Sequence, residues 1–297
     1  MKNFFNVAYP RFNDIFQNQN CISHISLALD LFLLELKVSD STEDIKNQIL
    51  NDACSFKSIN QYEKNVNKII LETTEKINIE KALDSRAKRY FHHTKKYLKG
   101  KSLLDIGSGD GKIAKHFSTQ GLDVTLTDVY KHPSIDSLNM EFNFHQPNEI
   151  LPFKEGKFDN VLLITVLHHC EDPSFTLKEA IRVLKPGGVI LIIESVYGVA
   201  SNIVSLNDNS ITKSFLKLDF DEQFAVNMFF DHLYNRCLFY SDEADQKVNT
   251  PFNYRSPELW NKTLIDSGFT EVSKVYLGYE QPIAPIYHTL HFGIKDD

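Results

Sequence analysis

The chain of 297 residues has room for one large domain or two of ordinary size, and 42% apolar with 24% charged residues is typical of a globular protein. Four scattered cysteines without a CxxC pair argue against a disulfide scaffold or a thiolate zinc site and favour a reducing compartment. A net charge of −7 argues against binding along a nucleic-acid backbone. The N-terminus lacks a signal-peptide pattern, and the longest apolar run, Ile25 to Leu36, has 12 residues where a bilayer needs about 20. We therefore expect a soluble cytoplasmic protein with neither a membrane nor a nucleic acid as partner.

Charge divides the chain near Gly100. Residues 1–99 carry a net charge of +3 and residues 100–297 a net charge of −10. The first part is predicted to be helical, with helices over Ile22–Leu36, from a break at Ser39–Glu43, and over Asp84–Leu98. We place a helical N-terminal region at 1–99, through which copies of the chain could associate, and a second domain at 100–297.

The helix predicted over Asp84–Leu98 has one strongly basic face, which includes Arg86, Lys88, Arg89 and Lys95. A solvated helix surface explains such a charge run most simply. The alternative is a lid helix that helps to hold an anionic substrate.

From residue 101 onward the pattern alternates between strand and helix. Strands are predicted over Ser102–Ile106, Asp123–Thr127, Glu141–Phe144, Asn160–Val166, Val189–Ile193, Glu271–Leu277 and Tyr287–Ile294, and helices over Lys112–Thr119, Ser174–Leu184 and Pro257–Ser267. Such alternation predicts a mostly parallel sheet covered by helices on both faces. Because a short loop joins the last two strands, the final strand should run antiparallel.

A glycine-rich turn follows the first predicted strand, in the sequence Leu103-Leu104-Asp105-Ile106-Gly107-Ser108-Gly109-Asp110-Gly111. Glycine lets a ligand approach the backbone closely because no Cβ intervenes. The third glycine of a dinucleotide motif is replaced by Lys112, and a carboxylate at Asp105 favours a cationic ligand over a pyrophosphate. Asp128 ends the next strand, where an acid can accept hydrogen bonds from ribose hydroxyls. The simpler alternative is a tight turn that binds no ligand. These three features together argue against it.

These motifs resemble the class I S-adenosylmethionine-dependent methyltransferases. The resemblance rests on LLDIGSGDGKIAKHF, LTDVY, LPFKEGKFDNVLLITVLHHCEDP and EAIRVLKPGGVILIIES, and it extends from Leu98 to the end of the chain. The family implies a Rossmann-like α/β fold with a seven-stranded, mostly parallel sheet and an antiparallel last strand. It also implies S-adenosyl-L-methionine as cofactor. The resemblance places Asp105, Gly107, Ser108 and Gly109 at the amino-acid end of the cofactor, Asp128 at the ribose, Val129 at the adenine, and Thr165 to His168 on the sulfonium side.

One position departs from the family pattern. Relatives often carry an aspartate four residues before the leucine of LPF, where it contacts the adenine amino group, and Pro147 stands there in this chain. The neighbouring amide of Gln146 is our candidate for the adenine edge.

Substrate residues should come from loops at the carboxyl edge of the sheet. Three segments emerge there: the stretch from His168 to Asp172, an aromatic insertion at about 197–254 that we interpret as a helical lid, and the loop before the last strand. Histidine suits a general base, since its reference pKa is about 6.5. The candidates are His169, His232 and Arg236 for catalysis, and Glu194, Asp231, Tyr234 and His288 for substrate binding.

Two other interpretations of these side chains stay open. Asp231, His232, Asn235 and Arg236 have helical i,i+4 spacing, so they could equally form a network that braces the lid. A metal site built from His169, His232, His288 and Asp231 is less favoured, because no close HxxxH or HxH pair is present and methyl transfer needs no metal.

The sequence thus predicts methyl transfer to a nitrogen or oxygen of a small-molecule metabolite. Two alternatives remain: a protein-modifying methyltransferase that docks its partner through the N-terminal part, and a non-catalytic cofactor-binding protein whose N-terminal helices mediate assembly.

Overall fold

The computed structural model describes residues 15–38, 41–203, 209–243 and 246–296. The chain forms two compact units. Unit 1 contains the described residues up to Leu83 together with Val196–Phe252 and Gly278–Tyr287, and unit 2 contains Asp84–Ser195, Asn253–Leu277 and the described residues from His288 onward.

Unit 2 is built on a seven-stranded sheet with the order β3-β2-β1-β4-β5-β7-β6. The strands are β1 Ser102–Ile106, β2 Asp123–Asp128, β3 Glu141–Phe144, β4 Phe158–Ile164, β5 Leu184–Ser195, β6 Phe269–Gly278 and β7 His288–Lys295. Strands β1 to β5 pair in parallel, whereas β7 pairs antiparallel with β5 and brings His288 opposite Ser195. The start of β7 therefore lies at the same edge as the carboxyl ends of the parallel strands. The predicted Rossmann-like α/β class is confirmed.

The central strands are apolar on both faces because helices cover both sides of a parallel sheet. In β4 and β5 the segments Val161–Ile164 and Val189–Ile193 are buried throughout. Tyr90, Phe91 and Phe117 pack with side chains of these strands in one core cluster. A second cluster contains Ala114, Leu126 and Ile135.

Unit 2 contains the helices α5 Lys112–Ser118, α6 Pro173–Val183 and α9 Pro257–Asp266, together with the second half of α4 Lys76–Thr94. Side chains cap α6 and α9, whereas α5 begins without a side-chain cap. The Asp172 side chain accepts hydrogen bonds from two N–H groups of the first turn of α6, and the Ser256 side chain accepts one from the first turn of α9. A proline follows each cap, where its missing N–H costs nothing.

Unit 1 is helical. It contains α1 Gln19–Glu35, α2 Thr42–Ser55, α3 Ile59–Thr73, the first residues of α4, α7 Ser210–Phe215 and α8 Phe220–His232. A capping box between Asp219 and Glu222 begins α8. The chain then passes into a π-helix over Leu233–Leu238, whose carbonyl groups at Cys237 and Leu238 accept hydrogen bonds from the Asn67 side chain of α3.

The structure corrects the helix pattern of the first part. The segment predicted as one helix over Asp84–Leu98 begins earlier, at Lys76, and its α-helix ends at Thr94 before a 3₁₀ turn. Ile59–Thr73 was not predicted, although the buried Tyr62, Val66, Ile69 and Ile70 have the spacing of an amphipathic helix.

The predicted domains 1–99 and 100–297 do not coincide with the compact units. The units divide at Leu83/Asp84, and most of the predicted lid at about 197–254 belongs to unit 1 together with α1 to α3. Two predicted features fall partly outside the described residues: the break at Ser39–Glu43 and the lid segment 204–208. Among the helices that the structure describes, none combines the length and apolarity that crossing a membrane requires.

Candidate functional site

The loop after β1 has the geometry of a ligand cradle. Gly107 and Gly109 both have left-handed φ angles, of 72° and 54°. A Cβ on Gly107 would lie 2.5 Å from the Val166 side chain, so a larger residue is excluded there. A Cβ on Gly109 would meet no atom within 4 Å. The loop backbone thus packs closely on one side and borders open space on the other.

Asp105, at the carboxyl end of β1, is a buried carboxyl group without a cation beside it. It is 3% exposed, and within the described ranges no side chain or backbone N–H is hydrogen-bonded to it. Burial, reinforced by the charges of Asp128 and Asp110, raises the pKa of Asp105 to about 8. A cationic ligand would supply the missing counter-charge.

Asp128, at the end of β2, holds the glycine loop in place. Its Oδ2 accepts a hydrogen bond from the Gly109 N–H at 2.9 Å, and its Oδ1 accepts one from the Tyr130 N–H at 3.2 Å. Burial raises the pKa of Asp128, while these backbone donors act in the opposite direction. Val129 is 46% exposed, as a side chain that receives a flat ring would be. Gln146 lies exposed beyond β3, and its backbone N–H donates to Glu149.

The chemistry of these groups fits S-adenosylmethionine, which carries an ammonium group, a sulfonium and two ribose hydroxyls. The buried carboxyl group of Asp105 and the half-buried one of Asp128 stand at neighbouring strand ends, and the buried hydroxyl of Ser108 makes no hydrogen bond within the described part of the chain. Together with the open space at Gly109, these groups form a polar cradle that a cationic, hydrogen-bonding ligand would satisfy. A pyrophosphate would be repelled by the same carboxylates.

The loop after β4 contains the next predicted residues, Thr165, His168 and His169. Thr165 has a φ of 56°, which is unusual for a β-branched residue and often marks a functional site. The Arg86 side chain of α4 donates to its hydroxyl at 2.9 Å. His168 is buried and contacts the carboxylate of Glu194, whereas His169 is half-buried with its ring centroid 4.0 Å from that of His168.

His288 begins β7 and lies at the same edge as these groups. Its Nε2 is 3.4 Å from the hydroxyl of Ser195, and its ring meets that of Tyr90 edge-on at 6.1 Å. Unit 2 therefore brings together the predicted residues on β1, β2, β4, β5 and β7.

The remaining predicted residues belong to unit 1 and have a different environment. His232 and Arg236 are buried and share Glu63 of α3 as their partner: His232 Nε2 lies 3.0 Å and Arg236 Nε 3.1 Å from Glu63 Oε1. Asp231 accepts a hydrogen bond from Asn235 at 2.7 Å, as the i,i+4 spacing predicts. These contacts favour the bracing interpretation for His232 and Arg236.

Tyr234, predicted to bind substrate, lies in the π-helix. It is half-buried and packs edge-on against Phe239, with 5.2 Å between the ring centroids.

Several residues of these sites were not among the predicted ones. Glu63 comes from an Asn-rich helix, and Arg86 was noted only as part of a basic surface. Asn253 and Tyr254 contact the His168 loop from the end of the insertion. Each acts across a long sequence separation, which local spacing does not reveal; the only signal was the concentration of charge around Arg86.

Comparison with known proteins bears on the cradle directly. Residues 104–192, which include the glycine loop, Asp128 and the loop after β4, match a family model described as a methyltransferase domain. A solved S-adenosylmethionine-dependent methyltransferase from Thermotoga maritima has the same fold, with a TM-score of 0.50 and 16% sequence identity over 72% of this chain and 92% of that one. Residues 104–192 thus match a methyltransferase domain, and the chain shares its fold with a solved S-adenosylmethionine-dependent methyltransferase.

Curated relatives of this methyltransferase domain include two named ubiquinone biosynthesis O-methyltransferase. The protein from Caulobacter vibrioides is 29% identical over 103 residues, which are 32% of this chain and 41% of the relative. The protein from Coxiella burnetii is 34% identical over 99 residues, which are 31% of this chain and 42% of the relative. The matches thus span less than half the length of these relatives.

Proposed function

We propose that this protein transfers the methyl group of S-adenosylmethionine to a nitrogen or oxygen atom of a small molecule. The observation that carries the proposal is the pair of carboxyl groups, buried Asp105 and half-buried Asp128, on either side of a glycine loop that borders open space. This arrangement favours a cationic nucleoside ligand over a dinucleotide.

In this proposal, the residues at the strand ends of unit 2 hold the cofactor. Asp105 receives the ammonium group, Asp128 the ribose hydroxyls, and the glycine loop the backbone of the amino-acid part. Val129 and Gln146 lie toward the adenine, and Thr165 and His168 toward the sulfonium. When bound, S-adenosylmethionine supplies an electrophilic methyl carbon, and the protein has to align a nucleophile with it and exclude water.

The acceptor would lie beyond the loop after β4. His169 is our candidate for the group that takes up a proton from the nucleophile, because its ring is half-buried rather than enclosed. His288 is proposed to contact the acceptor, whereas substrate binding by Asp231 and Tyr234 of unit 1 stays a prediction from the sequence. His232 and Arg236 stay candidates for catalysis, but their contacts with Glu63 favour a bracing role instead.

The test incubates the full chain with methyl-labelled S-adenosylmethionine and a small-molecule extract of the native cell, followed by mass spectrometry. We expect labelled products that Asp128→Ala fails to make, whereas Asp123→Ala, at the exposed amino end of the same strand, still makes them. Product analysis then distinguishes an N-methyl from an O-methyl group.

Two outcomes would replace the proposal. Label found in protein from an unfractionated lysate, and lost when residues 1–80 are removed from a chain that still binds cofactor, would indicate a protein-modifying methyltransferase. Cofactor binding without labelled product in any extract would indicate a non-catalytic binding protein.

A further inference from the structure

The loop after β4 is held more firmly than its irregular backbone would suggest. Thr165 adopts its left-handed backbone conformation while its N–H donates to Ile193 O of β5 at 2.7 Å and its hydroxyl accepts from Arg86. On another side, the Asn253 N–H donates to His168 O at 3.2 Å, and its side chain donates to Cys170 O at 2.7 Å. Contacts from α4, from β5 and from Asn253 thus hold the six residues from Thr165 to Cys170.

Glu194, the penultimate residue of β5, is the central anchor. Its carboxylate is fully buried, and its Oε1 accepts the backbone N–H groups of Val166 at 3.0 Å and Leu167 at 2.7 Å. Its Oε2 is hydrogen-bonded to Nδ1 of the His168 ring. One carboxylate therefore serves three groups of the same loop.

A carboxylate can only accept hydrogen bonds, so its partner on the ring must be a donor. His168 therefore carries a proton on Nδ1 whenever Glu194 is ionised. The tautomer of the histidine is thus dictated by the protein, as in sites where a buried carboxylate orients an imidazole.

We propose that Glu194 is a positioning residue of the methyltransferase site, which fixes the loop after β4 and the Nδ1-protonated form of His168 and does not itself bind the acceptor. The inference rests on the proposed function, in which Thr165 and His168 of this loop contact the cofactor. It gives Glu194 a role different from that of a substrate ligand, because the contacts of its carboxylate are with the loop.

The substitution Glu194→Gln tests the proposal sharply. If the amide oxygen keeps the two backbone N–H groups, the amide NH₂ faces Nδ1 of His168 and requires a lone pair there. The ring must then move its proton to Nε2. We expect the tautomer of His168 to invert, as observed by ¹⁵N NMR of histidine-labelled protein with the signal assigned through His168→Gln.

The matched control is Asp159→Asn at the opposite end of the sheet. Asp159 also accepts two backbone N–H groups, from Lys101 at 3.0 Å and Ser102 at 2.9 Å, and is the second residue of β4. It shares the chemistry of Glu194 but not its place at the carboxyl edge. Asp159→Asn should leave the His168 tautomer and cofactor affinity as in the wild type.

Calorimetry with S-adenosylmethionine and S-adenosylhomocysteine supplies the functional measurement. We expect Glu194→Gln to weaken binding about tenfold or more relative to Asp159→Asn, because a neutral amide holds the two loop N–H groups less strongly than a carboxylate and because His168 changes its tautomer. Glu194→Asp, which keeps the charge but shortens the side chain, should restore the Nδ1-protonated tautomer.

An unchanged tautomer in Glu194→Gln, or affinity equal to that of Asp159→Asn, would overturn the proposal. Should the glutamine variant not fold, an Nε2-protonated His168 in the wild type would overturn it as well, and an Nδ1-protonated ring there would support it. Failure of the wild type to bind either cofactor form would instead refute the proposed function, so the two failures are distinguishable.

Discussion

Two buried carboxyl groups of this chain have opposite surroundings. Glu63 of unit 1 lies against His232 and Arg236, with Lys247 at 3.6 Å, whereas Asp105 of unit 2 has two other carboxylates as its charged neighbours. Burial alone would raise the pKa of Glu63, but the hydrogen bond and charge of His232 and the charge of Arg236 lower it below its ordinary value. Burial and like charge raise the pKa of Asp105 to about 8.

The contrast separates a structural ion cluster from a ligand site. A buried charge that the fold itself neutralises contributes to holding the fold together, and one that the fold leaves without a counter-charge costs stability until a ligand arrives. Both carboxyl groups are buried, so burial does not distinguish them. The charged groups around each carboxyl group distinguish them.

The largest loss of stability should follow from Glu63→Ala. The substitution leaves Arg236 and His232 buried next to each other without their carboxylate, and breaking a buried pair in this way costs about 3–5 kcal/mol. Urea unfolding followed by circular dichroism measures the loss. Lys64→Ala, which removes an exposed pair with Asp242 and a contact with the ring of Tyr240, should change the unfolding midpoint little. Equal midpoints for the two variants would mean that the Glu63 cluster does not stabilise unit 1.

Removing one cation should cost less than removing the shared anion. In Arg236→Ala, Glu63 keeps His232 and Lys247, so we expect a loss of about 1.5–3 kcal/mol, the range for hydrogen bonds to charged groups. His232→Ala should behave in the same way. Measuring melting temperature, cofactor affinity and turnover on both variants separates bracing from catalysis. Lost turnover at an unchanged melting temperature would restore both residues to the catalytic site.

At the other carboxyl cluster, Asp128→Ala should change binding more than folding. The variant loses charged hydrogen bonds to the ribose and to the glycine loop, which at about 1.5–3 kcal/mol weakens cofactor binding about tenfold or more. Calorimetry with S-adenosylmethionine measures this, with Asp123→Ala as the control on the same strand. Unchanged affinity, or preference for a nicotinamide dinucleotide, would contradict the assignment of the cradle.

The sequence predicted the cofactor half of the molecule better than the rest, for a physical reason. Strands β1 and β3 were predicted with the observed bounds, and Asp105, Gly107 and Asp128 lie at strand ends. Parallel strands are short, apolar throughout and separated by glycine turns, so their pattern is local.

The long-range partners followed no such pattern. His232 and Arg236 were found by their i,i+4 spacing, but Glu63 lies on a helix far away in the sequence. The same holds for Arg86 beside Thr165 and for Glu194 beside His168. Helical spacing shows which side chains share a face, and only the tertiary fold decides what that face meets.

The pH dependence of stability should show the cost of Asp105. The carboxyl group has an ordinary pKa of 3.8, which applies to the unfolded chain, and a pKa of about 8 in the folded protein. Between these values the folded state holds a proton that the unfolded state has lost. Because stability falls with pH wherever the folded state binds more protons, this group lowers the free energy of unfolding by at most about 1.4 kcal/mol per pH unit from about pH 4 to about pH 8.

Asp105→Asn removes this slope, since an amide does not titrate. The difference in unfolding free energy between the variant and the wild type should therefore grow in favour of the variant from about pH 5 to about pH 8 and level off above. Cofactor affinity of the wild type should rise over the same pH range, because the ammonium group binds the ionised carboxylate. Binding near pH 7 should therefore release protons, which calorimetry in buffers of different ionisation heat measures. Asp105→Asn should show neither the rise in affinity nor the proton release. If the stability difference between the wild type and Asp105→Asn is the same at every pH, Asp105 is already ionised in the free protein. Asp105 and Glu63 would then differ in their neighbours but not in their charge state.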